Sequence, residues 1–155
     1  MRYPCASAGG ALCLILFEDN VTRKRWLRPL RSKSATYMAS ATKRFLANVG
    51  GGVKCFRTDH GTVFVDETFA RMCSDLTIHH EHTGVDGPNY SGVVEHGLGL
   101  IQEGSMAACF EPPPSILAIA SDPGRYWAEA DIYINECFII MATTANTHFK
   151  SPYFV

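Results

Sequence analysis

Apolar residues in this chain fall in short runs of two alternating kinds, and this alternation constrains the fold more than any other feature. Ala11 to Phe17 is a continuous apolar run of strand length. Arg25 to Leu30 can pair back on it as the second arm of a hairpin, with Pro29 confining that arm to an edge or a bulge. Tyr37, Met38, Ala41, Phe45 and Leu46 then recur at helical spacing. Ser32 or Ser34 can cap that helix and Gly50-Gly51-Gly52 stops it. Val53 to Thr58 reads as a buried strand. Asp66 can cap a short helix with Phe69, Ala70 and Cys73 on one face, and Leu76 to Ile78 opens another strand. His82 to Ser91 is rich in turn residues. A helix from Val93 is interrupted by Gly97, Gly99 and Gly104, Pro112 to Pro114 break the chain, and Tyr126 to Thr143 gives a long helical pattern. The order predicts an α/β architecture, a mixed sheet with helices on its faces.

The 155 residues suit a domain with a real core, and 46% apolar with 19% charged residues is ordinary for a globular protein. The net charge of −1 hides an asymmetry. Residues 1–57 hold eleven of the fourteen Lys/Arg against two acids, Glu18 and Asp19, so this part carries +9 and the remainder −10. A basic N-terminal half can face a polyanion such as nucleic acid, or the two halves can neutralise each other within one fold. The six Cys show no C-x-x-C spacing. Cys13, Cys55 and Cys137 lie in apolar runs and read as small buried hydrophobes. The N-terminus lacks a signal-peptide pattern, and the longest apolar runs, such as Cys137 to Ala142, are too short to span a bilayer. The expected setting is intracellular and reducing, without a membrane partner.

The residues best suited to chemistry are Asp59, ending the Val53 to Thr58 strand, and Glu95, at a helix start, with 35 residues between them. Two carboxylates brought together from a strand end and a helix start can hold a divalent ion for phosphodiester chemistry. The plainer reading makes Asp59 a turn residue and Glu95 an acid favoured by the helix dipole. His79-His80-Glu81-His82 with Cys73 invites a zinc reading, but strand alternation lets only His80 and His82 share a side, and no second ligand pair stands at zinc spacing. No local signature marks any Cys as a nucleophile.

Several segments carry a resemblance. Phe56-Arg57-Thr58-Asp59-His60-Gly61-Thr62-Val63-Phe64 resembles the segment around the second acid of retrotransposon integrases. Pro88-Asn89-Tyr90-Ser91-Gly92-Val93-Val94-Glu95 resembles the loop and helix start carrying their third acid, and the gap matches the D,D-35-E spacing. Gly9 to Asp19, Arg23 to Trp26 and Arg31 to Ser34 resemble the hairpin of copia-type integrases. Tyr126 to Ala130 and Lys150 to Tyr153 resemble the helix and tail that follow the core in copia polyproteins. The resemblance implies an RNase H-like fold, with a catalytic-core-like domain over 1–110 and a helical extension over 111–155. It implies DNA integration, with element ends and target DNA as partners, Mg²⁺ or Mn²⁺ held by Asp59 and Glu95, action in the nucleus, and room for a homodimer. Arg23, Lys24, Arg25, Arg28, Lys43 and Arg44 would meet DNA phosphates.

The sequence departs from the family in stated places. The family's first acid precedes the segment resembling Pro4 to Gly10, so it is expected to be missing here along with the first core strand, leaving Ala11 to Phe17 as a sheet edge and the fragment inactive. Asp19 matches an acid at the family's hairpin end and reads as a turn residue. His60 stands where Asn is usual, Val63 near an expected acid, and Ser91 for Asn. His96-Gly97-Leu98-Gly99 replaces an Arg/Lys cluster, with each glycine costing about 1 kcal/mol in a helix. The zinc-binding N-terminal module and basic C-terminal module of integrases are not matched. Beside catalysis, a non-catalytic nucleic-acid-binding or assembly module, or a transposon relic, fits these departures.

Overall fold

The computed structural model describes residues 5–83, 88–111, 114, 122–144 and 146–154. Of the loop expected over His82 to Ser91, residues 84–87 lie outside them, as do Pro112 and Pro113 of the expected break at Pro112 to Pro114; His82 belongs to a strand and residues from Pro88 to a helix. The chain forms two compact units, one from residues 30–93 and one from 1–29 with 94–155. Among the described residues the four strands pair as two two-stranded sheets rather than one mixed sheet.

The first of these units, residues 30–93, is an α/β layer. Helix α1 (Ala35–Val49) starts where the Ser34 hydroxyl accepts from Tyr37 N at 3.5 Å. It ends at Gly50, whose φ of 71° no β-carbon hinders. Strand β3 (Cys55–Thr58) runs parallel to β4 (His79–His82), with Cys55 opposite His79 and Thr58 opposite His82. The crossover between them carries α2 (Thr62–Val65) and α3 (Glu67–Asp75), the latter capped by Asp66 accepting from Thr68 N at 2.8 Å. Phe69, Met72 and Cys73 of α3 bury themselves with Ala39 and Ile78, and Leu46, Val53, Phe56 and Phe64 close over them. This apolar interior holds the parallel strands in place.

Two expectations need correction here. The strand expected from Leu76 begins only at His79. Leu76 N and Thr77 N bond back to Met72 O and Ser74 O, closing α3, and Thr77 turns the chain at φ 56°. Cys55 is exposed rather than buried. The alternation of β3 sends Phe56 and Thr58 inward, which leaves Cys55 and Arg57 outside.

In the other unit, β1 (Cys13–Glu18) pairs with β2 (Arg25–Leu30). The connection at 19–24 is far shorter than the dozen or so residues a parallel crossover needs, so the pair is an antiparallel hairpin. Asp19 organises the turn: its carboxylate accepts from Thr22 N at 3.1 Å and from the Thr22 hydroxyl at 2.5 Å. Helix α4 (Pro88–Phe110), which belongs to this unit from Val94 on, begins earlier than the sequence suggests and runs through its glycines. A 3₁₀ turn (Pro123–Tyr126) leads into α5 (Trp127–Ile140). Trp127 and Ala128 pack with Ala11 and Leu14, and the Trp127 indole donates to Cys5 O at 3.1 Å. Buried Ser105 on α4 hydrogen-bonds buried Asp131 on α5. A β-carbon at Gly104 would stand 3.0 Å from Ile134 Cγ2, so this glycine sets the close approach of α4 to α5. Asn146 Nδ2 donates to Thr22 O at 3.0 Å and to Lys150 O at 3.2 Å, tying the tail to the hairpin turn.

Gly99 differs from Gly104: nothing lies within 4 Å of a β-carbon built on it. Gly99→Ala is therefore expected to raise stability by about 0.5–1 kcal/mol, because alanine loses less backbone entropy on entering a helix. Thermal unfolding measures this as a rise of a few degrees (about 2–4 °C per kcal/mol at this size); a fall would mean the position is not free.

Candidate metal and nucleic-acid site

Asp59 follows directly on β3, exposed to solvent, in the unit formed by residues 30–93. Its Oδ1 accepts from Gly61 N at 3.0 Å, which closes an Asx turn at the strand end. A β-carbon at Gly61 would fall 2.8 Å from that same oxygen, so the carboxylate keeps this pose only because residue 61 is glycine. The remaining oxygen, Oδ2, is well suited to meet a hard cation. Glu95 is an exposed residue of α4, in the other unit. Among the described residues no three His, Cys, Asp or Glu side chains stand arranged around a common metal position.

The basic residues divide by environment. The Glu18 side chain is only 1% exposed, and Arg25 Nε donates to its Oε2 at 2.8 Å. Arg23 Nη1 lies 3.6 Å from the other oxygen. Both arginines therefore spend their charge on a buried acid. The Arg25 guanidinium lies flat on α4 at Gly97, where a β-carbon would come within 2.6 Å of Cζ and 2.7 Å of Nε. Gly97 is thus a contact residue, two positions beyond Glu95, rather than a defect in the helix. Sequence reading missed this role, and Glu18, one of only two acids ahead of the basic run, was the available signal. Lys24 Nζ stands 5.6 Å from the ring centroids of both Trp26 and Tyr153, a cation–π position. Arg28 is half-buried on β2, while Lys43 and Arg44 are exposed on α1.

Next to Asp59, imidazoles gather. His80 Nε2 and His82 Nδ1 lie 2.9 Å and 3.4 Å from the Thr58 hydroxyl. The His60 ring stacks on His82 with centroids 5.1 Å apart, and His80 leans on Phe69 at 5.1 Å. Burial, then the neighbouring His82 and His79, hold His80 below its ordinary pKa of 6.5. The unfolded chain therefore takes up this proton more readily than the folded one. The stabilising contribution is complete above about pH 6.5 and is lost as pH falls from there through the lower folded value. Urea titrations between pH 7.5 and 5.5 should show that decline, and His80→Gln should flatten it.

The parallel β3–β4 pair with its crossover helices, and the long helix that follows, are elements of an α/β core. The chain belongs to the integrase core domain family, whose pattern matches residues 1–88. It is 29% identical over 126 residues to the Retrovirus-related Pol polyprotein from transposon TNT 1-94 of Nicotiana tabacum. That match takes in 80% of this chain and 9% of the polyprotein, so the chain spans under a tenth of its curated relative. Among solved structures it is similar to the magnesium complex of the HTLV-2 integrase catalytic core domain (TM-score 0.65, 17% identity, 92% of this chain and 83% of that one). It also matches a chain of the simian T-cell lymphotropic virus intasome bound to PP2A regulatory subunit B56 gamma (TM-score 0.69, 17% identity, 89% and 45%). The RNase H-like integrase fold and the kinship with retrotransposon integrases are thereby established. Among the described residues no helix is long and apolar enough to cross a membrane.

Proposed function

We propose that the chain is the DNA-joining core of a copia-type retrotransposon integrase, with Asp59 and Glu95 sharing Mg²⁺ or Mn²⁺. The observation that carries this reading is Asp59, held at the end of β3 by Gly61 N with its second carboxylate oxygen left to meet a cation. Asp59 and Glu95 would supply hard oxygen ligands, and the metal would activate the attacking hydroxyl and stabilise the leaving oxygen at phosphorus. Element ends and target DNA are the proposed substrates, in the nucleus. Exposed Lys43 and Arg44 are the cations best placed for phosphate, with Arg28 and Lys24 second. Arg23 and Arg25 contribute less, because Glu18 offsets them. A second copy of the chain is a proposed partner, since the HTLV-2 core has a dimeric form.

Two carboxylates hold metal more weakly than three, so this chain alone is proposed to bind Mn²⁺ weakly and to join DNA only when a further acid completes the site. Mn²⁺ binding read by electron paramagnetic resonance tests the pair. Asp59→Asn and Glu95→Gln are each expected to abolish it; retention in both single variants overturns the shared site. A strand-transfer assay with pre-cut element ends tests the chain itself, and any product that disappears in Asp59→Asn overturns the proposed inactivity.

A further inference from the structure

The hairpin turn and the C-terminal tail meet within the unit formed by residues 1–29 and 94–155, and they set aromatic rings among cations. Asn146 is buried, and its Nδ2 bonds bridge Thr22 O in the hairpin turn and Lys150 O in the tail. Ser151 and Pro152 are buried as well, so the tail is seated on the unit. This seating brings Tyr153 to Lys24, whose Nζ stands 5.6 Å from the centroid of Tyr153 and 5.6 Å from that of Trp26. One ammonium thus ties a ring of the tail to a ring of β2. Trp26 and Arg28 are two apart on β2 and share a face, while Leu27, on the other face, is buried. Tyr153 remains 59% exposed. Phe149, in the same tail, is 68% exposed on a backbone with φ 56°, a left-handed conformation uncommon outside glycine. The tail therefore holds two rings out in water. Among the described residues Lys24, Arg28 and Lys150 form no ion pair with a carboxylate, in contrast to Arg23 and Arg25.

We propose that Trp26, Phe149 and Tyr153, with Lys24, Arg28 and Lys150, form a binding surface for single-stranded nucleic acid. The inference deepens the phosphate-binding role given above to Lys24 and Arg28 and rests on it for those two residues, but it does not involve the carboxylate pair. A duplex offers phosphates to the cations and keeps its base faces stacked on one another, which leaves exposed rings without a partner. Unpaired bases offer π-faces, and these stack on the exposed parts of Tyr153 and Phe149 while the backbone follows Lys24, Arg28 and Lys150. An acidic protein surface would satisfy the cations alone, and an apolar one the rings alone; the interleaving of the two favours a strand of bases and phosphates. Lys24 holds Tyr153 and Trp26 together before any ligand arrives, so less side-chain freedom is lost on binding. Stacking of this kind tolerates any base, and the phosphate contacts make it salt-sensitive.

The test uses the full chain with any affinity tag removed, in EDTA and low salt, and follows the fluorescence anisotropy of a labelled oligothymidylate of about 16 nucleotides. It should bind at least about fivefold more tightly than a duplex of the same length. Tyr153→Ala and Phe149→Ala, both at exposed positions, should each weaken the single-strand complex about fivefold or more, and Tyr153→Phe, which keeps the ring, should stay within about twofold. Lys150→Gln should lower the slope of log affinity against log salt by about 0.7. Undiminished affinity in both alanine variants overturns the stacking surface. So does a duplex bound as tightly as the single strand, which would reduce the site to a patch for phosphate. EDTA removes divalent metal, so failure of this surface leaves the Mn²⁺ test of Asp59 and Glu95 untouched, and failure of that test leaves this one standing.

Discussion

Arg25→Met is expected to destabilise the chain by about 3–5 kcal/mol, the cost of leaving a buried charge without its partner. The Glu18 side chain is almost wholly shielded from water, and Arg25 supplies its charge-assisted hydrogen bond at 2.8 Å. Arg23, at 3.6 Å and more exposed, is too distant to take over. Chemical denaturation measures the loss directly. The double variant Glu18→Leu/Arg25→Met should recover most of it, since well-packed apolar residues often replace a buried ion pair at little cost. Gly97→Ala should move in the same direction as Arg25→Met, because its methyl carbon would occupy the space of the guanidinium 2.6 Å away. It contrasts with Gly99→Ala, only two residues along the same helix, which is expected to stabilise. A loss below about 1 kcal/mol in Arg25→Met would mean that water reaches Glu18, and the pairing would then be an ordinary surface one.

This pairing also shows where the sequence could be read and where it could not. Helix ends were legible because their signals are local: Ser34 and Asp66 cap α1 and α3, and Gly50 stops α1 in the left-handed region. The family could be read from motifs in order, and its pattern matches residues 1–88. The state of the basic run 23–25 was not legible. A linear pattern shows that three cations stand together, but not that an acid five residues before Arg23 is buried beneath two of them. The glycines of α4 were opaque for the same reason. Gly97 and Gly104 answer to side chains from other elements, Arg25 and Ile134, whereas Gly99 answers to nothing within 4 Å. The late start of β4 turned on two backbone hydrogen bonds and the positive φ of Thr77, and a β-branched residue gives no warning of that conformation. The sequence sets a zinc reading of His79 to His82 aside, because strand alternation lets only His80 and His82 share a side. The gathering of His80 and His82 around Thr58, with His60 arriving from another element, depends on the β3–β4 register and could be seen only once Thr58 stood opposite His82.

Phe69→Ala should cost about 3–5 kcal/mol, the usual range for removing a fully buried aromatic ring. Phe69 is 1% exposed and lies at the centre of the apolar cluster between α1, α3 and the parallel strands. Its ring meets Phe64 edge-on at 5.2 Å and His80 at 5.1 Å, so the cavity would open between α2 and β4. The substitution therefore has a second consequence beyond lost stability. Burial is the leading cause that holds His80 below its ordinary pKa, and removing the ring that covers it lets water reach the imidazole. The folded pKa of His80 should rise toward 6.5, and the stability decline between pH 7.5 and 5.5 should become shallower than in the parent chain. Phe69→Leu keeps most of the apolar volume and should retain both more stability and more of the pH dependence. Parallel urea titrations of the three proteins decide the matter. A Phe69→Ala variant with reduced stability but an unchanged pH slope would mean that His82 and His79, rather than burial against Phe69, set the protonation of His80.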